Sequence, residues 1–298
     1  NYFGTPEQAF DSSEVFTNAL AAKENMRTES FAQKLCVSSK GNVDCIKNAQ
    51  LEEGQKGLLF SLSNHKVLYA NGIYDKVYPA SITKIMTAML ALQSGKLNDT
   101  VTITQDNVTL EDGSQVCGFV AGDQVTLDQL LHCLLVYSGN DAASAIAEYV
   151  GGSTENFVQM IDYAAKLGCT GTHFSNPHGL QDENHYTTPY DIYLMLNEAF
   201  TYPEFTEITE LPSYTVTYTG SDGTEKSTTL TATDHYLTGE ATAPKDVTIL
   251  GGKTGTTEVA GNCLAILTQN AYGKTFVSIV MGAATKELLY QEMNSLLQ

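Results

Sequence analysis

Apolar residues along the chain change from a strand pattern to a helix pattern and back again. Residues 57–62 and 66–70 predict two short strands, and the polar residues 63–65 between them predict a hairpin turn. After Pro79, apolar residues recur with the helical period until about Gly95. Residues 12–35 have helical composition but weak start and stop signals. We interpret residues 1–50 as a partly helical N-terminal appendage.

Helical periodicity dominates the middle of the chain, and strand patterns return towards its end. The spacing of Thr126 and Gln129 predicts a capping box, residues 141–150 and 153–168 predict two helices, and Thr188-Pro189 starts a helix that reaches about residue 200. The alternation of apolar and polar residues from 214 to 218 predicts a strand. Three more strands are predicted at residues 249–257, 262–268 and 275–281, and a terminal helix follows from about residue 285. This order predicts an α+β fold with one antiparallel sheet built from both chain ends and a helical insertion.

Composition and charge exclude several classes of protein. The 298 residues are 42% hydrophobic and 17% charged, which indicates a folded core. A formal net charge of −18 opposes binding to nucleic acid or anionic lipid. Arg27 is the only arginine, so a bound carboxylate would be held by lysine, hydroxyls or backbone amides. No apolar run has the length of a membrane-spanning helix, and we expect a mature or trimmed soluble part.

The six cysteines show no Cys-x-x-Cys spacing, which argues against a zinc ribbon or a thioredoxin-like site. Cys36 and Cys45 bracket a polar stretch, and we hypothesise that a disulfide closes this loop. The other cysteines lie within apolar patterns and are expected to be small buried hydrophobes.

A first candidate for chemistry is Ser81-Ile-Thr-Lys84, after Pro79. On a helix, this spacing places the hydroxyl and the amine on one face, one turn apart. Lys84 could remove the proton of Ser81 if the amine were neutral, which requires burial and a second nearby cation. A second match, Ser63 to Lys66, falls in a predicted turn with no helix behind it, so we treat it as a chance occurrence.

Two further motifs come later in the chain. Ser138-Gly-Asn140 lies between two predicted helices, where a hydroxyl could relay a proton and an amide could orient a substrate. Lys253-Thr-Gly255 lies in a predicted strand and supplies a second cation. A glycine inside a strand often marks a place that another backbone or a ligand must approach closely. Taken singly, each motif also fits an ordinary helix cap, turn or edge strand.

The three motifs in this order resemble the penicillin-recognising serine enzymes. Residues around them, including 172–180 and Gly251-Gly252, are similar to the D-alanyl-D-alanine carboxypeptidases among the low-molecular-mass penicillin-binding proteins. The resemblance covers about residue 56 to the C-terminus. It implies a five-stranded antiparallel sheet flanked by helices, in a catalytic domain of residues 51–298. The sheet part would cover about 51–110 and 205–298, and the helical insertion about 111–204.

The resemblance also implies roles for the motif residues. Ser81 would attack the carbonyl between two D-alanines of a peptidoglycan stem peptide, and Lys84 would take its proton. Ser138 and Lys253 would pass a proton to the leaving amine, while Asn140 would hold the peptide amide.

The substrate-binding residues implied are Thr254, Gly255 and Thr256. The hydroxyls of Thr254 and Thr256, with Lys253, would receive the terminal carboxylate, and the N–H groups of Ser81 and Thr256 would form the oxyanion hole. His178 and Asp182 match the family loop and are interpreted as organising it.

The implied partners are stem peptides ending in D-Ala-D-Ala and β-lactams, with no nucleic acid, metal or cofactor. The implied location is extracytoplasmic, and membrane association would require a segment outside this chain. Alternatives remain a class A-like β-lactamase, a DD-transpeptidase and a catalytically silent wall-binding scaffold. The β-lactamase is disfavoured because no Glu-x-x-x-Asn occurs between Ser138 and Lys253. The intact three motifs disfavour the scaffold.

Overall fold

The computed structural model describes residues 34–166 and 168–298, and residues 36–298 form one compact unit. The helical segment expected at residues 12–35 lies, apart from its last two residues, outside the described residues. The predicted division into an appendage and a catalytic domain at residue 50 stays a prediction. The account below concerns the unit from residue 36 onwards.

Ten strands and eleven helical segments are described: nine α-helices, one 3₁₀ helix and one π-helical segment. The strands are β1 Val43–Asp44, β2 Lys56–Ser61, β3 Lys66–Asn71, β4 Thr100–Thr102, β5 Gln124–Thr126, β6 Ser213–Thr219, β7 Glu225–Thr231, β8 Val247–Thr257, β9 Gly261–Asn270 and β10 Thr275–Ala283. The helices are α1 Lys84–Gln93, α2 Gln105–Val108, α3 Leu127–His132, α4 Asn140–Gly151, α5 Thr154–Lys166, α6 Pro189–Ala199, α7 Pro203–Thr209, α8 His235–Thr238 and α9 Lys286–Leu297. A 3₁₀ helix, Ala80–Thr83, precedes α1, and a π-helical segment, Cys133–Tyr137, follows α3.

The main sheet has the strand order β1-β3-β2-β10-β9-β8, and every neighbouring pair is antiparallel. Five of these strands come from the two chain regions that the sequence predicts, and two-residue β1 adds a sixth at the edge. The predicted α+β class with an antiparallel sheet is therefore confirmed. The predicted hairpin also forms, with Leu58 opposite Ala70.

A second, four-stranded sheet has the order β4-β5-β6-β7, so the expectation of one sheet is wrong. Its hairpin buries Val216 and Tyr218, while the alternating threonines of β6 are exposed. Strands with one apolar face and one polar face can cover a core but cannot replace the interior strands of a sheet packed on both faces. This hairpin therefore forms a separate layer.

The main sheet is buried on both faces. Strand β9 directs Ala265 and Leu267 towards the helical core and Leu264 and Ile266 towards the face that α9 covers. The capping box at Thr126 is present as predicted and starts α3. None of the helices within the described ranges is long and apolar enough to cross a bilayer.

The hypothesised Cys36–Cys45 disulfide is wrong, because both residues are free cysteines. The thiol of Cys36 is buried and donates to the carbonyl oxygen of Ser61 at 3.4 Å. Cys45 follows β1, is exposed, and donates its N–H to the carbonyl oxygen of Leu68 at 2.9 Å. Pairing of β1 with β3 holds Cys45 at the surface while Cys36 packs inside the core.

Candidate active site

Ser81 lies in the 3₁₀ helix, and Lys84 is the first residue of α1. The spacing of three residues places the two side chains together, with Nζ of Lys84 2.8 Å from Oγ of Ser81. Ala80 before the serine has a φ of 49°. This positive φ is unusual for a residue with a Cβ and marks local strain beside the nucleophile candidate.

Lys84 is fully buried, and its amine is surrounded by oxygen atoms. Besides Ser81, it contacts Oδ1 of Asn140 at 2.7 Å and the carbonyl oxygen of His178 at 2.9 Å. Burial, and then the charge of Lys253, lowers the pKa of Lys84 well below its usual range. The arrangement therefore favours a neutral amine beside the serine hydroxyl.

The Ser138–Asn140 turn joins the π-helical segment to α4. Ser138 has a left-handed φ of 65°, and Asn140 begins the helix. Both side chains are buried. The turn aims the serine hydroxyl at Lys253 and the amide oxygen at Lys84, so it links the two lysines.

Lys253 lies on β8, and its Nζ donates to Oγ of Ser138 at 3.0 Å and to the carbonyl oxygen of Thr254 at 2.9 Å. Burial lowers the pKa of Lys253 to about 7, and the nearby Asp234 opposes this shift. The site thus contains two serine–lysine hydrogen bonds, Ser81–Lys84 and Ser138–Lys253, and the turn contacts both lysines through Asn140 and Ser138.

The rest of the third motif faces the same cleft. The hydroxyl of Thr254 is hydrogen-bonded to that of Thr233, and the hydroxyl of Thr256 donates to Oδ1 of Asn262 at 3.2 Å. A Cβ at Gly255 would lie 2.9 Å from the oxygen of Pro79 and 3.0 Å from the backbone nitrogen of Ser81. The predicted close approach is confirmed, because β8 packs directly against the 3₁₀ helix.

A cleft of about 320 Å³ joins these residues. It is lined by Ser81, Ser138, Asn140, Thr254, Gly255 and Thr256, with Gln115, His178, Thr233, Lys286 and Tyr290 among the other lining residues. The structure therefore brings together every residue that the motifs single out, with Lys84 and Lys253 buried beneath the cleft wall. Sequence reasoning did not identify Gln115, Thr233, Lys286 or Tyr290, which belong to no motif.

The segment from Gly113 to Phe119 is fastened to the Ser138–Asn140 turn. The carbonyl oxygen of Gln115 accepts the N–H of Asn140 at 2.8 Å. The carboxylate of Asp141 accepts the N–H groups of Cys117 at 2.9 Å, Gly118 at 3.1 Å and Phe119 at 3.3 Å. This segment therefore forms one wall of the cleft.

The loop that carries His178 supplies a backbone acceptor. Its carbonyl accepts from Lys84, and Nδ1 of its ring accepts the N–H of Leu180 at 3.2 Å. Burial, followed by the charge of Lys84, lowers the pKa of His178 to about 3. The ring is therefore neutral near pH 7 and organises the loop.

The sequence is similar to those of known proteins. A family model described as D-alanyl-D-alanine carboxypeptidase, Peptidase_S11, matches residues 45–285. The chain belongs to this family. The D-alanyl-D-alanine carboxypeptidase DacF of Bacillus subtilis is 32% identical over 240 residues, 78% of this chain and 58% of the relative. DacC of Escherichia coli is 34% identical over 252 residues, 80% of this chain and 59% of the relative. The chain thus spans about three fifths of these relatives' length.

Solved structures of similar proteins share the fold. A single-substitution mutant of the Streptomyces K15 DD-transpeptidase superposes with a TM-score of 0.73 and 28% identity, covering 81% of this chain and 95% of that one. The D-alanyl-D-alanine carboxypeptidase of Mycobacterium tuberculosis superposes with a TM-score of 0.71 and 27% identity, covering 88% of this chain and 94% of that one. The resemblance inferred from the three motifs is confirmed.

Proposed function

We propose that this protein is a serine-type D-Ala-D-Ala carboxypeptidase that removes the terminal D-alanine from peptidoglycan stem peptides through an acyl-enzyme on Ser81. The observation that carries the proposal is the contact of 2.8 Å between the amine of Lys84 and the hydroxyl of Ser81, inside a cleft shared with Ser138 and Lys253. Membership of the carboxypeptidase family supports it.

Acylation begins with proton transfer from Ser81 to the neutral amine of Lys84. For an ordinary lysine, presenting the neutral form at pH 7 costs about 4.6 kcal/mol. The lowered pKa of Lys84 removes much of this cost before the substrate binds. Attack of Oγ on the carbonyl between the two D-alanines then forms the new ester bond, and the N–H groups of Ser81 and Thr256 stabilise the oxyanion.

Collapse of the tetrahedral intermediate breaks the peptide bond and needs a proton for the leaving amine. Ser138 supplies it, and Lys253 replenishes the serine through their hydrogen bond. Asn140 holds the peptide amide. The strand residues Thr254, Gly255 and Thr256 form the subsite for the terminal carboxylate, with the charge of Lys253 behind them. Water then hydrolyses the ester: Lys84 returns its proton to the released oxygen of Ser81, a proton from the water restores the ammonium of Lys253, and the new carboxyl group ionises to solvent.

The proposed substrate places the protein outside the cytoplasm, where peptidoglycan stem peptides are exposed. β-Lactams enter the same cleft, because their strained amide and carboxylate present the groups that the site recognises. Acylation of Ser81 by a β-lactam gives an ester whose leaving amine stays tethered. This adduct persists, because the tethered amine stays where water would attack and the chain lacks, between Ser138 and Lys253, the Glu-x-x-x-Asn pattern with which a class A β-lactamase activates water.

The decisive test is covalent labelling with penicillin, followed by mass spectrometry and by measurement of D-alanine released from a stem-peptide analogue. The native protein should carry one adduct on Ser81 and release D-alanine. Ser81→Ala should abolish both. Ser63→Ala is the matched control, because it removes the serine of the other Ser-x-x-Lys match, at the exposed hairpin, and should leave both signals unchanged.

Other outcomes identify other functions. No adduct in the native protein would favour the silent scaffold, and rapid turnover of nitrocefin would favour a β-lactamase. A transpeptidase is the specific second candidate, because the matched Streptomyces K15 protein is named a DD-transpeptidase. Addition of glycine as an acceptor separates the two: a carboxypeptidase yields mainly hydrolysed peptide, and a transpeptidase yields mainly the glycine-exchanged peptide.

A further inference from the structure

A buried carboxylate lies behind the cleft and has no part in the steps above. Asp234 precedes α8, is 8% exposed, and its Oδ1 accepts the N–H of Tyr236 at 2.9 Å and the hydroxyl of Tyr290 at 3.3 Å. Tyr290 itself lines the active-site cleft. The carboxylate is therefore held in place by two donors, one of which belongs to the wall of the site.

Asp234 and Lys253 face the same small cavity, whose volume is about 10 Å³ and which Thr254 also lines. Thr233, next to Asp234 in the chain, bonds the hydroxyl of Thr254. The pair Thr233–Asp234 is thus packed against Lys253 and Thr254, the first two residues of the Lys-Thr-Gly motif. The amine of Lys253 donates to Ser138 and to the oxygen of Thr254. Its interaction with the carboxylate of Asp234 is a charge–charge interaction across the small cavity.

The site contains two buried lysines whose partners Asn140 and Ser138 belong to one turn, and the mechanism needs the two amines in different protonation states. Lys84 must be the free amine, while Lys253 must be the ammonium that attracts a carboxylate. Burial disfavours the charged form of both, and each repels the charge of the other. The charged groups around the two amines must therefore differ, so that Lys253 keeps its proton and Lys84 does not.

The surroundings of the two lysines differ. Lys84 faces Asp141, whose carboxylate is already engaged by three backbone N–H groups, as well as the Cys117 thiol and the neutral ring of His178. Hydrogen bonding with Cys133, followed by burial, raises the pKa of the Cys117 thiol, so it carries no charge near pH 7. Lys253 faces Asp234, with His235 beside that carboxylate. Burial raises the pKa of Asp234, while the hydrogen bonds from Tyr236 and Tyr290 and the charge of Lys253 favour its ionised form.

We propose that Asp234 is a positioning residue that decides which of the two lysines is charged: it holds Lys253 as the ammonium, and that charge in turn keeps Lys84 a free amine. The inference rests on the proposed function and deepens it. Asp234 touches no reacting atom and acts through Lys253. Removal of its charge should leave the hydrogen-bonded geometry of the cleft in place but change the pH range over which the site works.

The test is the pH profile of the second-order rate constant for acylation of Ser81 by benzylpenicillin, compared between the native protein and Asp234→Asn. Because the carboxylate raises the pKa of Lys253, its removal should move the basic limb of the profile from near pH 7 to lower pH. A shift of one pH unit corresponds to about a tenfold lower rate constant above that limb. The acid limb should move to higher pH, because Lys253 carries less charge in the variant and therefore depresses the pKa of Lys84 to a smaller extent. The active pH range should become narrower from both sides.

Two further variants make the result specific. Asp234→Ser keeps an oxygen that can cap α8 without the charge, so it should narrow the profile as Asp234→Asn does. Asp246→Asn removes an exposed carboxylate just before the same strand and should leave the profile unchanged. Thermal unfolding checks that each variant is folded.

A uniform loss of rate at every pH, with both limbs in place, would show a merely structural role and overturn the inference. An unchanged profile in both Asp234 variants would do the same. Failure of the native protein to form any adduct at Ser81 would count against the proposed function instead, so the two failures are distinguishable.

Discussion

At the scale of single residues, the position of Ser81 depends on a close backbone contact. The carbonyl oxygen of Ala80 lies against Gly179, where a Cβ would be only 1.8 Å away. Gly179 has a φ of 91°, and Ala80 has a φ of 49°. The two unusual conformations fit each other, which indicates that the loop after His178 holds the strained residue that precedes the nucleophile.

Gly179→Ala should therefore impair acylation as well as stability, because the new Cβ must displace the backbone at Ala80. Gly223→Ala is the matched control: Gly223 has a similar φ of 81° and open space around it. The control should lose about 1–2 kcal/mol of unfolding free energy from the positive φ alone and keep its acylation rate. Gly179→Ala should lose more and acylate at least about tenfold more slowly, equivalent to about 1.4 kcal/mol of barrier. Equal effects in urea unfolding and penicillin labelling would contradict this account.

At the scale of helices and strands, the sequence pattern predicted those elements whose formation depends on residues close together in the chain. The hairpin of β2 and β3, the capping box at Thr126 and the helix after Thr188 depend on residues a few positions apart, and all three form. The three motifs indicated a shared site because their order resembles that of a family. Periodicity could not show that the threonine-rich hairpin leaves the main sheet, because its partner, three-residue β5, has almost no strand signal of its own.

The same limit applies to the site and to the cysteines. Thr233 and Tyr290 reach the cleft only through long-range packing, which spacing does not record. Cys36 and Cys45 are near in sequence, yet β1 pairs with β3 and separates their environments. The short distance along the chain suggested a Cys36–Cys45 disulfide, but the pairing of β1 with β3 keeps Cys45 at the surface, apart from the buried Cys36.

The state of the two cysteines is open to a direct test. Alkylation of the native protein should label Cys45 well before Cys36, because Cys45 is exposed whereas Cys36 is buried and burial raises the pKa of its thiol. Adding a reductant should leave the melting temperature unchanged. A disulfide closing a loop of this size would contribute about 2–3 kcal/mol, so its loss would lower the melting temperature by several degrees. A lower melting temperature after reduction, or a Cys45 that reacts only after reduction, would instead support a disulfide between Cys36 and Cys45.

At the scale of the whole molecule, the positively charged Lys253 lies in a protein whose net charge is strongly negative. The sequence has a formal net charge of −18, yet the proposed substrate carries a carboxylate that must reach Lys253. The lysine is buried, so its field acts mainly at the cleft, whereas the many surface carboxylates act at longer range. The overall field of the protein therefore repels an anionic ligand until the ligand enters the cleft.

This opposition predicts an unusual salt dependence. The Debye length falls from about 30 Å at 0.01 M salt to about 8 Å at 0.15 M, which screens the repulsion between protein and ligand more than the short contact inside the cleft. The second-order rate constant for acylation by anionic benzylpenicillin should therefore rise about two- to tenfold over this range. Zwitterionic ampicillin is the control and should change much less. A rate constant that falls with salt would mean that the positive charges at the cleft, Lys253 and Lys286, dominate even at long range.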